Sequence, residues 1–246
     1  METTLEVRNL SKWFGGIHAI DHVNFRFKSQ ELRCIIGPNG AGKTTLFNII
    51  TGRIKPDEGQ VIFEGEDITA LKPYEISRRG IVLKFQITMV FDELTVMDNL
   101  IIAVRGRQSM RSLFFSRDEK SHEDRLMEVM EMMHLSCRGD ELVKTLSHGE
   151  KQWLEMGMVL AYRPRLMLLD EPTAGMSSQE TMETANIIRM ISEEITTVVI
   201  EHDIKFLKEI GKNITILHQG AVLFEGTFEE VEANPIVRDV YLGKRG

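Results

Sequence analysis

Eight consecutive residues, Gly37-Pro38-Asn39-Gly40-Ala41-Gly42-Lys43-Thr44, fit G-x-x-x-x-G-K-[ST], the spacing of a loop that cradles phosphates. Glycines allow successive backbone N–H groups to turn inward around phosphate oxygens. A helix beginning near Lys43 would aim its positive end at the same oxygens. Lys43 would add a mobile point charge for the outer phosphates, and the Thr44 hydroxyl a ligand for Mg2+. A second cluster is Arg165-Leu166-Met167-Leu168-Leu169-Asp170-Glu171, an apolar run ending in two acids. An acid at the end of a buried strand is expected beside the neighbouring phosphate loop. There Asp170 can hold Mg2+ through its water shell. Glu171 points elsewhere and can polarise an attacking water.

These residues need strands to carry them and helices to cover the strands. Leu32–Ile36 is a continuous apolar run ending in glycine and predicts a buried strand. Lys43–Ile50 predicts a helix. Thr3–Val7 and Val23–Phe27 alternate like half-buried antiparallel strands, and Gly59–Phe63 is a further short one. From about Thr95 to Ala161 helical spacing prevails, with Leu126, Met130 and Met133 on one face. The runs Leu166–Leu169, Thr197–Ile200, Ile214–Leu217 and Ala221–Phe224 are strand-length, and Ser178–Ser192 between the first two is helical. The fold class is α/β: a strand-rich core with antiparallel strands, interrupted by a helical insertion. We read 1–246 as a single domain, with 1–90 and 160–246 forming the core and about 91–159 the helical part. The methionine-rich stretch Met127–Met133 is expected to pack in the core rather than to form a binding face.

Composition narrows the setting. The chain has 246 residues, enough for a sizeable core, with 42% hydrophobic and 27% charged residues. A net charge of −7 argues against nucleic acid as the main partner, because phosphate-backbone binding wants a basic surface. Two cysteines make neither a disulfide framework nor a metal site and point to a reducing compartment. Cys34 reads as buried and Cys137 lies in a polar stretch. Met1–Leu10 carries no apolar signal segment, and no run approaches the ~20 apolar residues of a membrane span. Work at a membrane would require docking on another chain.

The segment Leu146-Ser147-His148-Gly149-Glu150, followed by Lys151-Gln152 and standing just before the acidic strand, resembles the L-S-G-G-Q signature of ABC ATPases. With the phosphate loop and Asp170-Glu171 in order, the resemblance covers the whole chain. It implies a P-loop NTPase core with an antiparallel β subdomain and an inserted helical subdomain carrying the signature. It implies that Phe14 stacks on adenine and that Gly37, Pro38, Asn39, Gly40, Ala41, Gly42, Lys43, Thr44 and Thr45 hold ATP. Gln86, in Lys84-Phe85-Gln86, would contact Mg2+ and water and sense the membrane partner, joining Thr44 and Asp170 at the metal. His202, in Glu201-His202-Asp203, would hold the γ-phosphate beside Glu171. Ser147 is a plausible N-cap, and Ser147 and Gly149 would meet the ATP of a second ATPase chain in a head-to-tail hetero- or homodimer. Transmembrane permease subunits are the other implied partners, and the implied location is peripheral, on the cytoplasmic face of the bacterial inner membrane.

Three residues depart from the family pattern. His148 stands in the glycine pair of the signature, Glu150 for glutamine, and Ser177 for the aspartate of S-A-L-D. Pro172–Met176, Phe91–Val96, Asn234-Pro235 and Val240–Gly243 resemble importer ATPases for branched-chain amino acids, urea and related amides. Leu32–Ile36 and Leu146–Glu155 are most similar to one of the two ATPase subunits of urea importers. The resemblance thus implies uptake of urea or a short-chain amide, with branched-chain amino acids as the alternative. A soluble ABC ATPase of iron–sulfur assembly is a further alternative. Chromosome or repair ATPases would need long coiled coils, and ABC translation factors a second phosphate loop.

Overall fold

The protein is described here as a computed structural model covering residues 3–84, 90–106 and 119–237. The chain opens with two long antiparallel strands, β1 (Thr3–Phe14) and β2 (Ile17–Lys28). Both run well beyond the short segments that alternation marks. With β4 (Glu58–Phe63) and the two-residue β5 (Glu66–Asp67) they form a four-stranded sheet in the order β2-β1-β4-β5. The second sheet holds β3 (Leu32–Ile36), β6 (Ile81–Lys84), β7 (Leu166–Asp170), β8 (Thr196–Ile200), β9 (Ile214–His218) and β10 (Ala221–Gly226), in the order β10-β9-β3-β8-β7-β6. Its pairings are parallel except β9–β10.

Apolar strands in this sheet are covered on both faces. Along β7, Leu166 and Leu168 face one core and Met167 and Leu169 the other, as the period of two requires. The first core lies between the two sheets and around α1 (Lys43–Ile50), centred on Phe27, Phe47 and Ile50. The second packs α6 (Ser178–Ser192) and α7 (Ile204–Ile210) together with α3 (Val96–Gly106), α4 (Glu119–Met132) and α5 (His148–Ala161). Leu126, Met130 and Met133 are buried in it, whereas Met127 is exposed, so the methionine stretch divides between core and surface.

Caps set the helix ends near the chemistry. Ser147 before α5 and Ser177 before α6 each accept a hydrogen bond from the N–H three residues on, of Glu150 and Glu180, whose carboxylates return to the cap N–H groups. These are capping boxes. Two of the departures are compatible with these boxes. Serine at 177 caps as well as aspartate, and Glu150 closes its box while pairing with Arg138 at 3.0 Å. Two further elements, β6 and α2 (Pro73–Arg79), lie outside the segments expected from the sequence. α2 begins at a proline and ends at Gly80 in left-handed conformation, both helix-boundary signals present in the sequence.

Candidate functional site

The phosphate loop joins β3 to α1 as expected. At its end Gly42 is the N-cap of α1 with φ 101°. A Cβ there would lie 2.3 Å from the Ala19 carbonyl oxygen, so only glycine lets the loop close against β2. Lys43 folds back over the loop, its Nζ donating to the carbonyls of Gly37 (2.7 Å) and Pro38 (3.1 Å). Burial draws its ammonium below the ordinary lysine range, against the pull of Glu171 and Asp170. Thr44 is exposed and Thr45 half-buried on the first turn of α1; Asn39 and Gly40 are exposed, Pro38 half-buried and Ala41 buried. Phe14 ends β1 with 48% of its surface open at the β1–β2 turn, and the Lys12 ammonium lies over its ring, 5.6 Å from the centroid.

Asp170 and Glu171 end β7, but β8 lies between β7 and β3. The strands that carry the acids and the phosphate loop are thus separated by one strand, while both acids act on the loop's Lys43. The Asp170 carboxyl is pushed up to about 6, first by burial and then by the Glu171 charge, with Lys43 opposing. Glu171 has φ 48°, a left-handed conformation costing about 1–2 kcal/mol in a non-glycine residue. Its N–H donates to Ile200 at 2.9 Å. Such strain persists where the surroundings over-determine it.

His202 follows β8, and its Nδ1 lies 3.4 Å from Glu171 Oε1. The buried Glu201 beside it binds both sides of this junction. It accepts from the Thr173 N–H (3.1 Å), the Thr173 hydroxyl, and the His202 N–H (2.8 Å). Glu201 thereby fastens the chain after Glu171 to the chain around His202. This role is not among those the sequence motifs imply. Its signal was a lone acid closing the apolar run Thr197–Ile200.

The hard oxygen donors of Thr44 and Asp170 suit Mg2+. The half-buried Asp170 and Glu171, beside the buried Glu201 and opposed by Lys43 and Lys84, form an acidic cluster whose charge a cation can neutralise. Among the described residues no cluster of three or more His, Cys, Asp or Glu could hold a metal ion. Gln86 lies outside the described residues. Ser147 and Gly149 sit apart from the phosphate loop's own elements, at the start of α5, with Ser147 exposed and Gly149 buried. A Cβ on Gly149 would fall 2.1 Å from Glu180 Oε1, so a side chain there would displace the carboxylate that closes the α6 capping box. A cleft of about 800 Å³ lined by Lys28, Leu32, Arg33, Arg189, Glu209 and Lys212 opens at the opposite ends of the strands, away from this chemistry.

A phosphate loop facing two carboxylates at the C-terminal edge of a mostly parallel sheet places the protein among the P-loop nucleotide hydrolases. The family is narrower. Residues 20–174 match the family described as ABC transporter, and residues 221–246 that described as branched-chain amino acid ATP-binding cassette transporter. The high-affinity branched-chain amino acid transport ATP-binding protein BraF of Pseudomonas aeruginosa is 35% identical, covering 98% of each chain. An ATP-binding cassette of an ABC transporter in its ADP conformation superposes with TM-score 0.86 at 32% identity, covering 99% of this chain and 100% of that one. A bacterial ABC transporter cassette solved as a dimer gives TM-score 0.78 at 26% identity, covering 91% and 98%. The chain belongs to the ABC transporter ATP-binding subunits and is an ATP hydrolase. No helix among the described residues is long and apolar enough to cross a membrane.

Proposed function

We propose that this chain is one ATPase subunit of a bacterial importer, driving solute uptake through separate permease subunits from the cytoplasmic face of the membrane. The observation that carries the reading is the meeting of Glu171 and His202 at 3.4 Å on the sheet edge that faces Lys43. Lys43 exchanges its loop carbonyls for the outer phosphates of ATP, Phe14 stacks on adenine, and the N–H groups of residues 37–45 hold the phosphate oxygens. Thr44, Asp170 and Gln86 hold Mg2+, which when bound neutralises phosphate charge. Glu171 takes the proton of the attacking water, and His202 donates to the γ-phosphate. Ser147 and Gly149 serve the ATP of a second ATPase chain, identical or not, and the dimer closes on nucleotide and opens after hydrolysis. Residues 91–159 form the helical part and the remainder the nucleotide core. Phe91, with 52% of its surface open, supports a docking face for a cytoplasmic permease helix near Gln86; residues 87–89 of that segment lie outside the described residues.

The solute we favour is urea or a short-chain amide, on the likeness of Leu32–Ile36 and Leu146–Glu155 to urea-importer ATPases. Branched-chain amino acids are the second reading, favoured by the names of the relatives and by the match at 221–246. Uptake of labelled urea and labelled leucine, measured in parallel in a strain lacking the gene, separates the two. Loss of urea uptake alone supports the first, loss of leucine uptake alone the second, and loss of neither overturns both. Glu171→Gln in the assembled transporter should keep ATP binding and nearly abolish hydrolysis; near-normal turnover would remove Glu171 from its role.

A further inference from the structure

We propose that His148, standing where the family signature has a glycine, positions Glu171 of its own chain by holding the loop that follows it. The path is continuous. His148 Nε2 lies 3.1 Å from the carbonyl oxygen of Ala174. A carbonyl only accepts, so this contact is made by an imidazole with its proton on Nε2. The same residue, Ala174, donates its N–H to the carbonyl of Glu171 at 3.2 Å. The imidazole is thus two hydrogen bonds from a backbone held at φ 48°. A conformation of that kind is kept only by surrounding contacts, and the glycine found in the family signature would supply none from this side. The ring also rests over Gly175, where an added Cβ would lie 3.1 Å from Nε2.

The other end of the imidazole contact is anchored. His148 opens α5 directly after the capping box at Ser147. One turn on, Gln152 is buried, and its Oε1 accepts from Lys84 Nζ. That bond turns the Gln152 amide nitrogen toward His148, 3.5 Å from Nε2. An imidazole nitrogen carrying its proton cannot also accept from that amide, so the two contacts of Nε2 exclude one another. The shorter one, to Ala174, is the contact made here. Transfer of the ring proton to Nδ1 would break it and replace it by acceptance from Gln152 within the helix. Lys84 ends β6, two residues before Gln86. His148 therefore stands between the strand leading to Gln86, the helix that serves the other chain's ATP, and the loop leaving Glu171.

This inference rests on the proposed ATPase site, and its test separates the two. In the assembled transporter, ATP turnover is measured against ATP concentration for His148→Ala, His148→Gln and, as control, Glu171→Gln. A positioning role predicts that His148→Ala lowers kcat about three- to tenfold, the worth of one neutral hydrogen bond, with KM within about twofold. Gln places an amide N–H near the Nε2 position, so His148→Gln should recover at least half of the lost kcat. Wild-type kcat in His148→Ala, or equal loss in both variants, overturns the proposal. A Glu171→Gln control that still hydrolyses ATP would overturn the site reading instead.

Discussion

The buried pair between Lys84 and Glu155 offers a quantitative test of how the helical part is joined to the sheet. Lys84 ends β6 and Glu155 lies in α5; their charged atoms are 3.2 Å apart and both side chains are buried. Gln152, also buried, accepts from the same ammonium. Lys84→Met leaves a carboxylate in that interior without its cation, which typically costs about 3–5 kcal/mol. For a chain of this size each kcal/mol moves the melting temperature by ~2–4 °C, so a fall of about 6–20 °C is expected. The double variant Lys84→Met/Glu155→Leu removes both charges and should recover most of that loss, because well-packed apolar replacements of buried pairs are often neutral. Melting and urea unfolding of the purified chain give both numbers. pH adds a second signature. Burial draws the Lys84 ammonium below its ordinary range, with Glu155 pulling it back. As pH rises the folded chain therefore loses that proton before the unfolded chain does. Stability should climb with pH through the window ending near the ordinary lysine value of 10.5, and Lys84→Met should lack that climb. A single variant within about 1 kcal/mol of wild type would refute the reasoning, since no buried charge would then have been left alone.

Other outcomes follow from single residues. Lys43→Ala should weaken ATP binding by at least tenfold, because a charge-assisted hydrogen bond is worth about 1.5–3 kcal/mol; nucleotide titration checks it. Phe14→Ala should cost about 1–3 kcal/mol of ATP affinity, the range for a base stacked on an aromatic ring, with little change in melting temperature because the ring is exposed. Gly42→Ala should destabilise the loop by at least ~1–2 kcal/mol on backbone conformation alone, and its Cβ would also meet Ala19; unfolding and ATP titration should both respond. Burial pushes the Cys34 thiol up to about 12, while Cys137 is exposed. Because the thiolate is the reactive form, a thiol reagent at pH 8 should modify one cysteine quickly in the folded chain and the second only on unfolding.

Local signals sufficed for much of this protein. Leu32–Ile36, Lys43–Ile50 and Ser178–Ser192 form as elements with the very bounds that apolar runs, glycine and capping residues mark, because burial on both faces and helix caps act over a few residues. The phosphate loop and the acidic pair were legible for the same reason: each is a contiguous stretch whose chemistry depends on neighbours in sequence. The β6 strand was not legible. Its four residues end in a lysine, and acids and an amide distant in sequence, Glu155 and Gln152 foremost, make that charge tolerable inside. The order of strands was likewise hidden, since nothing in Leu166–Glu171 says that β8 intervenes before the phosphate loop. His148 and Ser177 looked like departures from a pattern. Their meaning came from the capping box at α6 and from the carbonyl of Ala174, 26 residues away from His148. What the sequence by itself determined was the set of reacting groups and the elements that carry them. Which of those groups meet, at what distance and under whose burial, was decided by the tertiary structure, because contacts across the sheet depend on packing between segments that share no local sequence signal.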